Sequence, residues 1–205
     1  FRAAFSFEAT MRKILLLLLV IPSVCLAQVP QAAHKYRADL VRASHLVWGL
    51  NAPIPAFAAQ VHQESGWRPD VCSPYACGLT QFTADTADWI QMVYGVELGP
   101  KDRFHPVWAL RAMVRYNKHL YDQTPGHTQC DRMWATLRKY NGGPGHWNME
   151  SRFAVDRLDR AEVDKTCGQA RRSVKHCPEN LGYPKRILER IQPRYESWGQ
   201  YINCN

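Results

Sequence analysis

The 205-residue sequence has no internal repeat, no low-complexity tract and no inter-domain linker, so nothing in it marks off separate modules. Long apolar runs are missing too. The most continuous one, Ile14 to Ile21, is too brief to span a bilayer. Alternating apolar and polar stretches are scarce, which disfavours an all-β fold. Neither a CxxC pair nor two histidines at ligand spacing occurs, so a zinc site would lack its usual ligands and no metal is expected. Acidic side chains are the scarcer charge, 18 against 26 Lys and Arg, for a formal net charge of +8. That excess suits a polyanionic neighbour: nucleic acid, anionic lipid or an anionic cell wall. What remains is an ordinary globular composition, 46% hydrophobic and 21% charged, which excludes wholesale disorder.

The amino-terminal residues point to export. Arg12-Lys13 precede the apolar run, and Cys25 and Ala27 give it a small-x-small end, the layout of a secretory signal. A buried or membrane-anchoring helix is the competing reading, and Val24 before Cys25 fits a lipobox poorly. The expected organisation is therefore 1–27 as upstream residues plus signal, then 28–205 as one domain, periplasmic or secreted, with no stable membrane insertion after signal cleavage. Six cysteines remain, an even number suited to disulfides in an exported chain. The six allow 15 connectivities, and the sequence does not choose among them; Cys72–Cys77 and Cys167–Cys177 are close enough to pair locally, which would leave Cys130 with Cys204. Export and disulfides together argue against a nucleic-acid partner.

The expected fold class is mainly α, with room for a short β-hairpin in 66–82 and bracing by disulfides. Pro55 suits a first helical turn, and Phe57, Val61 and Glu64 follow on one face. A second helix is expected from near Thr83 to Val93, stopped by Gly95. A third begins at Pro106 with the stripe Leu110, Met113, Val114, Asn117 and Leu120. A fourth follows Cys130 through Met133, Leu137 and Tyr140 and breaks at Gly142-Gly143-Pro144-Gly145. A last helix is expected over 184–192. The segment 146–178 reads as a polar, irregular excursion held by Cys167 and Cys177, with Arg171-Arg172 to Lys175-His176 as solvated surface.

Glu64 is the residue with the most chemical content. Its place on an apolar stripe turns its carboxyl away from bulk water, and burial penalises the ionised form. A carboxyl that keeps its proton near neutral pH is what a general acid for glycosidic cleavage requires. The plainer reading is a turn cap or an ion pair with Arg68.

The surrounding residues tip that balance. Glu64-Ser65-Gly66 is followed by Cys77-Gly78-Leu79-Thr80-Gln81, then by Tyr140-Asn141-Gly142-Gly143, and finally by Glu179-Asn180-Leu181-Gly182-Tyr183. In this order the four elements resemble the soluble lytic transglycosylase family, and the likeness covers about 57–195. That resemblance implies a lysozyme-like helical fold and cleavage of peptidoglycan glycan strands with no cofactor. Glu64 would protonate the oxygen between N-acetylmuramic acid and N-acetylglucosamine, then act as base while the muramoyl 6-hydroxyl closes a 1,6-anhydro ring. Ser65, Thr80, Gln81, Tyr140, Asn141 and Tyr183 would contact substrate or the catalytic carboxyl. Each also has a plainer reading as a cap, turn or packing residue. Thr80, Cys77 and Gly142 depart from the family pattern, in which methionine, alanine and alanine are commoner.

Two further readings stay open at this point. A hydrolysing muramidase similar to goose-type lysozyme would use water instead, with Asp70 the nearest second carboxylate in sequence. A weakly catalytic scaffold of a secretion, conjugation or phage machine would bind the wall, and such a machine could equally recruit an active enzyme. Among the tryptophans, Trp147 beside the Gly-rich turn is the one expected to line a sugar cleft.

Overall fold

The computed structural model describes residues 28–204; the expected export signal lies outside the described residues. Eight α-helices account for most of it: α1 (Gln31–Trp48), α2 (Ile54–Ser65), α3 (Ala84–Leu98), α4 (Pro106–Asp122), α5 (Gln129–Gly142), α6 (Pro144–Glu150), α7 (Arg160–Asp164) and α8 (Cys177–Lys185). Between 66 and 82 the backbone makes only two isolated antiparallel bridges, Cys72 with Cys77 and Cys77 with Phe82, so the hairpin is reduced to a disulfide-closed turn. All three disulfides join the expected pairs. Among the described residues no helix is long and apolar enough to cross a membrane.

Helix α2 is the axis of the molecule. Ile54 to Val61 are all buried; α1 and the carboxyl-terminal segment pack around them, and α4 packs on α1. Helix α4 presents the expected stripe, with Leu110, Met113, Val114, Asn117 and Leu120 buried. Asn117 Nδ2 donates to Gln60 Oε1 at 2.6 Å, a buried polar pair that sets α4 against α2. Helix α5 opens with a capping box: the Thr128 hydroxyl accepts from the Asp131 amide, and the Asp131 carboxylate accepts from the Thr128 amide.

Three elements differ from expectation. Helix α1 is additional; its buried face is Ala33, Tyr36, Leu40, Ala43 and Ser44, mostly small residues that leave a faint pattern. Helix α3 runs through Gly95 to Leu98, because Gln91 lies over Gly95 and donates to the Gly99 carbonyl at 3.1 Å, extending the helix by a turn. The last helix starts earlier than expected, at Cys177. Pro184 sits inside α8 without an amide to donate, and the chain continues as a wider π turn over Arg186–Ile191 and a 3-10 segment over Gln192–Trp198.

The segment 146–178 is irregular over 154–159 and 165–173, as expected, but it is not wholly solvated. Ala135, Trp147 and Val163 form a second small core there. Beside it lies a buried ionic network. Arg138 meets Glu150 at 3.1 Å and Asp164 at 2.8 Å, and Arg172 Nε meets the other Glu150 oxygen at 2.9 Å. Arg138 and Glu150 are fully buried, and Arg172 is 7% exposed, which corrects its reading as solvated surface.

Candidate active site

A cleft of about 380 Å³ opens between the end of α2, the 73–83 loop and the helices α4, α5 and α8. Glu64 reaches it from the last turn of α2, one residue before Ser65. Gln81, Tyr140, Asn141 and Tyr183 line the same cleft, so the structure brings these five expected residues together.

The local backbone explains how. Gly66 caps α2 in a left-handed turn, and Trp67 continues at φ 67°, uncommon for a residue with a side chain. Trp67 is held there by burial and by its indole donating to the Tyr195 hydroxyl at 2.7 Å. Gly78 allows the return: a Cβ on it would lie 2.1 Å from the Arg103 carbonyl oxygen, so only glycine permits that approach. Gln81 follows at φ 46°, its amide donating to the Val71 and Gly78 carbonyls at 3.0 and 2.9 Å.

The electrostatics centre on Glu64. Burial pushes its carboxyl up from an ordinary 4.5 to about 8; a hydrogen bond from the Tyr183 hydroxyl works the other way, and Glu179 adds to the rise while Arg186 opposes it. Tyr183 donates to Glu64 Oε1, which leaves the acid proton to Oε2. Burial also raises the Tyr183 and Tyr140 hydroxyls well above their usual range, so both stay neutral donors. Tyr140 spends its proton on the Thr80 carbonyl at 2.8 Å, tying α5 to the loop.

Two expected contacts stand behind the cleft. The Ser65 hydroxyl is buried and donates to the Leu79 carbonyl at 2.8 Å, clamping the helix end to the loop. Thr80 is 1% exposed, and among the described residues its hydroxyl has no hydrogen-bond partner. Asn141 does reach the cleft, its side-chain oxygen accepting from Asn180 Nδ2 at 3.1 Å. Trp147 does not: it is buried in the second core, with the Lys139 ammonium 4.3 Å from its ring centroid, which corrects its expected place.

Sequence reasoning passed over Glu179, Tyr75 and Tyr116. Glu179, not Asp70, is the second carboxylate lining the cleft, and Arg186 Nη2 holds it at 2.6 Å. Its signal was present, since it opens the motif that ends in Tyr183. Tyr75 stands 83% exposed at the tip of the Cys72–Cys77 turn. Among the described residues no group of three or more His, Cys, Asp or Glu is arranged to hold a metal ion. The arrangement can deliver a proton from a neutral carboxyl, with a second carboxylate, ion-paired with Arg186, on the cleft wall.

Comparison with known proteins bears on the family and the fold. The family model described as "Transglycosylase SLT domain" matches residues 49–160. A membrane-bound lytic murein transglycosylase F of Maricaulis maris is 35% identical over 105 residues, 50% of this chain and 21% of that protein. Its counterpart from Serratia proteamaculans is 34% identical over 106 residues, 51% and 19% of the two. Among solved structures, the 70 kDa soluble lytic transglycosylase of Escherichia coli superposes with a TM-score of 0.61 at 22% identity, covering 80% of this chain and 24% of that one. An inactive mutant of the lytic transglycosylase Slt from Pseudomonas aeruginosa gives 0.62 at 19%, covering 82% and 25%. The chain thus spans a quarter or less of each of these proteins.

Proposed function

Because the chain belongs to the transglycosylase SLT domain family, we propose that it is a lytic transglycosylase cutting the bond between N-acetylmuramic acid and N-acetylglucosamine in peptidoglycan. The observation that carries this reading is the desolvated Glu64 carboxyl, titrating near 8 under the Tyr183 hydroxyl at the wall of the cleft. At neutral pH it holds a proton to give the glycosidic oxygen. Once ionised, the same group takes the proton of the muramoyl C6 hydroxyl while that oxygen closes onto C1. The substrate supplies its own nucleophile, so one carboxyl suffices; its N-acetyl group can also share the oxocarbenium charge.

The net charge of +8 suits an anionic wall, and export through 11–27 would deliver the protein there. Recruitment by a secretion, conjugation or phage machine fits a small domain of this kind.

The test is mass spectrometry of fragments released from purified peptidoglycan. Products ending in 1,6-anhydromuramic acid, one water lighter than hydrolysis products, are expected. Glu64→Gln should lower the rate by at least about 1000-fold with the fold intact. Reducing-end products would instead identify a hydrolase, and retained activity in the variant would remove Glu64 from the mechanism.

A further inference from the structure

The last turn of α2 carries a second titratable group that the proposed reaction leaves unused. His62 lies two residues before Glu64, half-buried, with Nδ1 2.8 Å from the Tyr195 hydroxyl of the 3-10 segment. The same hydroxyl accepts from the Trp67 indole at 2.7 Å. An indole only donates, so it takes a lone pair of the Tyr195 oxygen, and the hydroxyl's one proton goes to His62 Nδ1. That direction requires a neutral imidazole with its own proton on Nε2. The result is one directed chain, from Trp67 to Tyr195 to His62, joining the helix, its exit and the carboxyl-terminal segment. Tyr195 and Trp67 are both buried, and neither His62 nor Tyr195 lines the cleft.

This chain closes a ring around Glu64. The His62 carbonyl accepts from the Gly66 amide at 3.0 Å, so the backbone of His62 ends the helix while its side chain holds the residue beyond the end. Trp67 needs holding, because φ 67° is strained for a residue with a side chain. Tyr36 stacks on the Trp67 ring with centroids 6.4 Å apart, and Trp198 meets Tyr195 edge-on at 5.0 Å. Between the two ends of the ring, Glu64 is aimed at Tyr183 and Ser65 at the Leu79 carbonyl. If Trp67 relaxes to an ordinary φ, the backbone that aims Glu64 turns with it. The surrounding charges keep the imidazole neutral. Burial lowers its pKa from an ordinary 6.5, and Arg194 of the 3-10 segment lowers it further. Of the other elements packed on α2, the π turn brings Arg186 to Gln63 at 3.3 Å, and α1 brings His34 and Arg37 against the Trp198 ring. Glu64, the carboxyl on the same turn, is itself protonated below 6.5. The Tyr195 hydroxyl, pushed up to about 12 by burial, remains a donor throughout.

We propose that His62 and Tyr195 are positioning residues for Glu64: by accepting the Tyr195 proton, His62 locks the exit of α2 through Trp67 and so keeps the Glu64 carboxyl under Tyr183. The inference rests on the transglycosylase reading for the reaction it serves, and on the geometry of the ring for its effect on Glu64. It adds a limit on the acid side. Protonated His62 no longer accepts, the hold on Trp67 is lost, and the carboxyl is released from its place at a pH below 6.5. Glu64 alone would impose no limit there, because its acid form is complete.

The experiment measures kcat and KM on purified peptidoglycan across pH, and the titration of Glu64, in the intact protein and two variants. In the intact protein kcat should fall by about tenfold on an acid limb below 6.5, the value of one hydrogen bond. His62→Asn sets an amide oxygen in the place of Nδ1 that cannot take a proton; it should keep kcat at pH 7 within about twofold and lose the acid limb. His62→Phe fills the space without an acceptor and should lower kcat by about tenfold at pH 7, with KM unchanged. An acid limb that persists in His62→Asn overturns the proposal, as does full activity of His62→Phe or a loss confined to KM. Carbon NMR of the isotopically labelled protein follows Glu64 with no substrate present. Its carboxyl should titrate near 8 in the intact protein and in His62→Asn, and move down toward 4.5 in His62→Phe as it meets water. A carboxyl still titrating near 8 in His62→Phe overturns the proposal whatever the enzyme does. If none of the three proteins cleaves peptidoglycan, the transglycosylase reading fails, while the NMR shift still supports the positioning role. Should His62→Phe not fold, the acid limb of the intact protein against that of His62→Asn decides alone.

Discussion

A carboxyl that titrates near 8 has consequences for both rate and stability. The acid form of Glu64 is available below that pH, so kcat on peptidoglycan should fall on an alkaline limb centred near 8. In stability the sign follows from the raised folded value. Between 4.5 and 8 the folded chain keeps a proton that the unfolded chain has released, so this contribution is complete below 4.5 and gone above 8. Glu64→Gln removes the titration; denaturant unfolding at pH 7 should find the variant more stable by about 3 kcal/mol, with the gain vanishing toward pH 4. Tyr183→Phe removes a bond that favours the carboxylate. Its alkaline limb should therefore move upward in a pH–rate profile, with kcat reduced by about tenfold as Glu64 loses the group that fixes Oε1.

At the scale of elements, the ionic network between α5, α6 and the 167–177 loop is the most exacting part of the fold. Glu150 accepts from Arg138, Arg172 and the Gly168 amide with no exposure to water. Glu150→Ala would leave two buried guanidinium groups without their shared partner. Chemical denaturation should show a loss of about 3–5 kcal/mol, whereas Glu162→Ala, on an exposed i,i+3 pair with Lys165, should cost less than about 1 kcal/mol. The same network shows where sequence patterns stop being readable. Helices α2 and α4 could be read because Phe57, Val61, Leu110 and Met113 are large, apolar and regularly spaced. Glu64 stood out as the one charge on such a stripe. Helix α1 buries Tyr36 and Leu40 among alanines and a serine, which dilute the periodic signal, and 146–178 buries Arg172 and Glu150, residue types that pattern reading assigns to solvent. Ser65 and Thr80 were legible as motif residues; that their side chains face inward depends on the loop's return through Gly78, which no spacing encodes.

At the scale of the whole molecule, the Cys130–Cys204 disulfide joins the start of α5 to the carboxyl-terminal tail across 74 residues. Arg160 adds to that tie, with Nη2 donating to the Cys204 carbonyl at 2.7 Å. The double variant Cys130→Ser, Cys204→Ser should lose about 2–5 kcal/mol, because the unfolded chain regains a long loop. The Cys72–Cys77 pair closes only a short turn, and its removal should cost less in global stability than in activity, since Ser73, Tyr75 and Ala76 line the cleft.

Glu64 and Tyr183 lie 119 positions apart, and the segments that bury α2 include the final helical turns of the chain. A growing or half-folded chain therefore carries only an ordinary glutamate, ionised in neutral water and unable to give up a proton. The proton-holding carboxyl comes into being with the last helix. A nick or frayed tail near that helix would return Glu64 to an ordinary carboxylate without touching the glutamate, and the proposed cleavage would be lost with it.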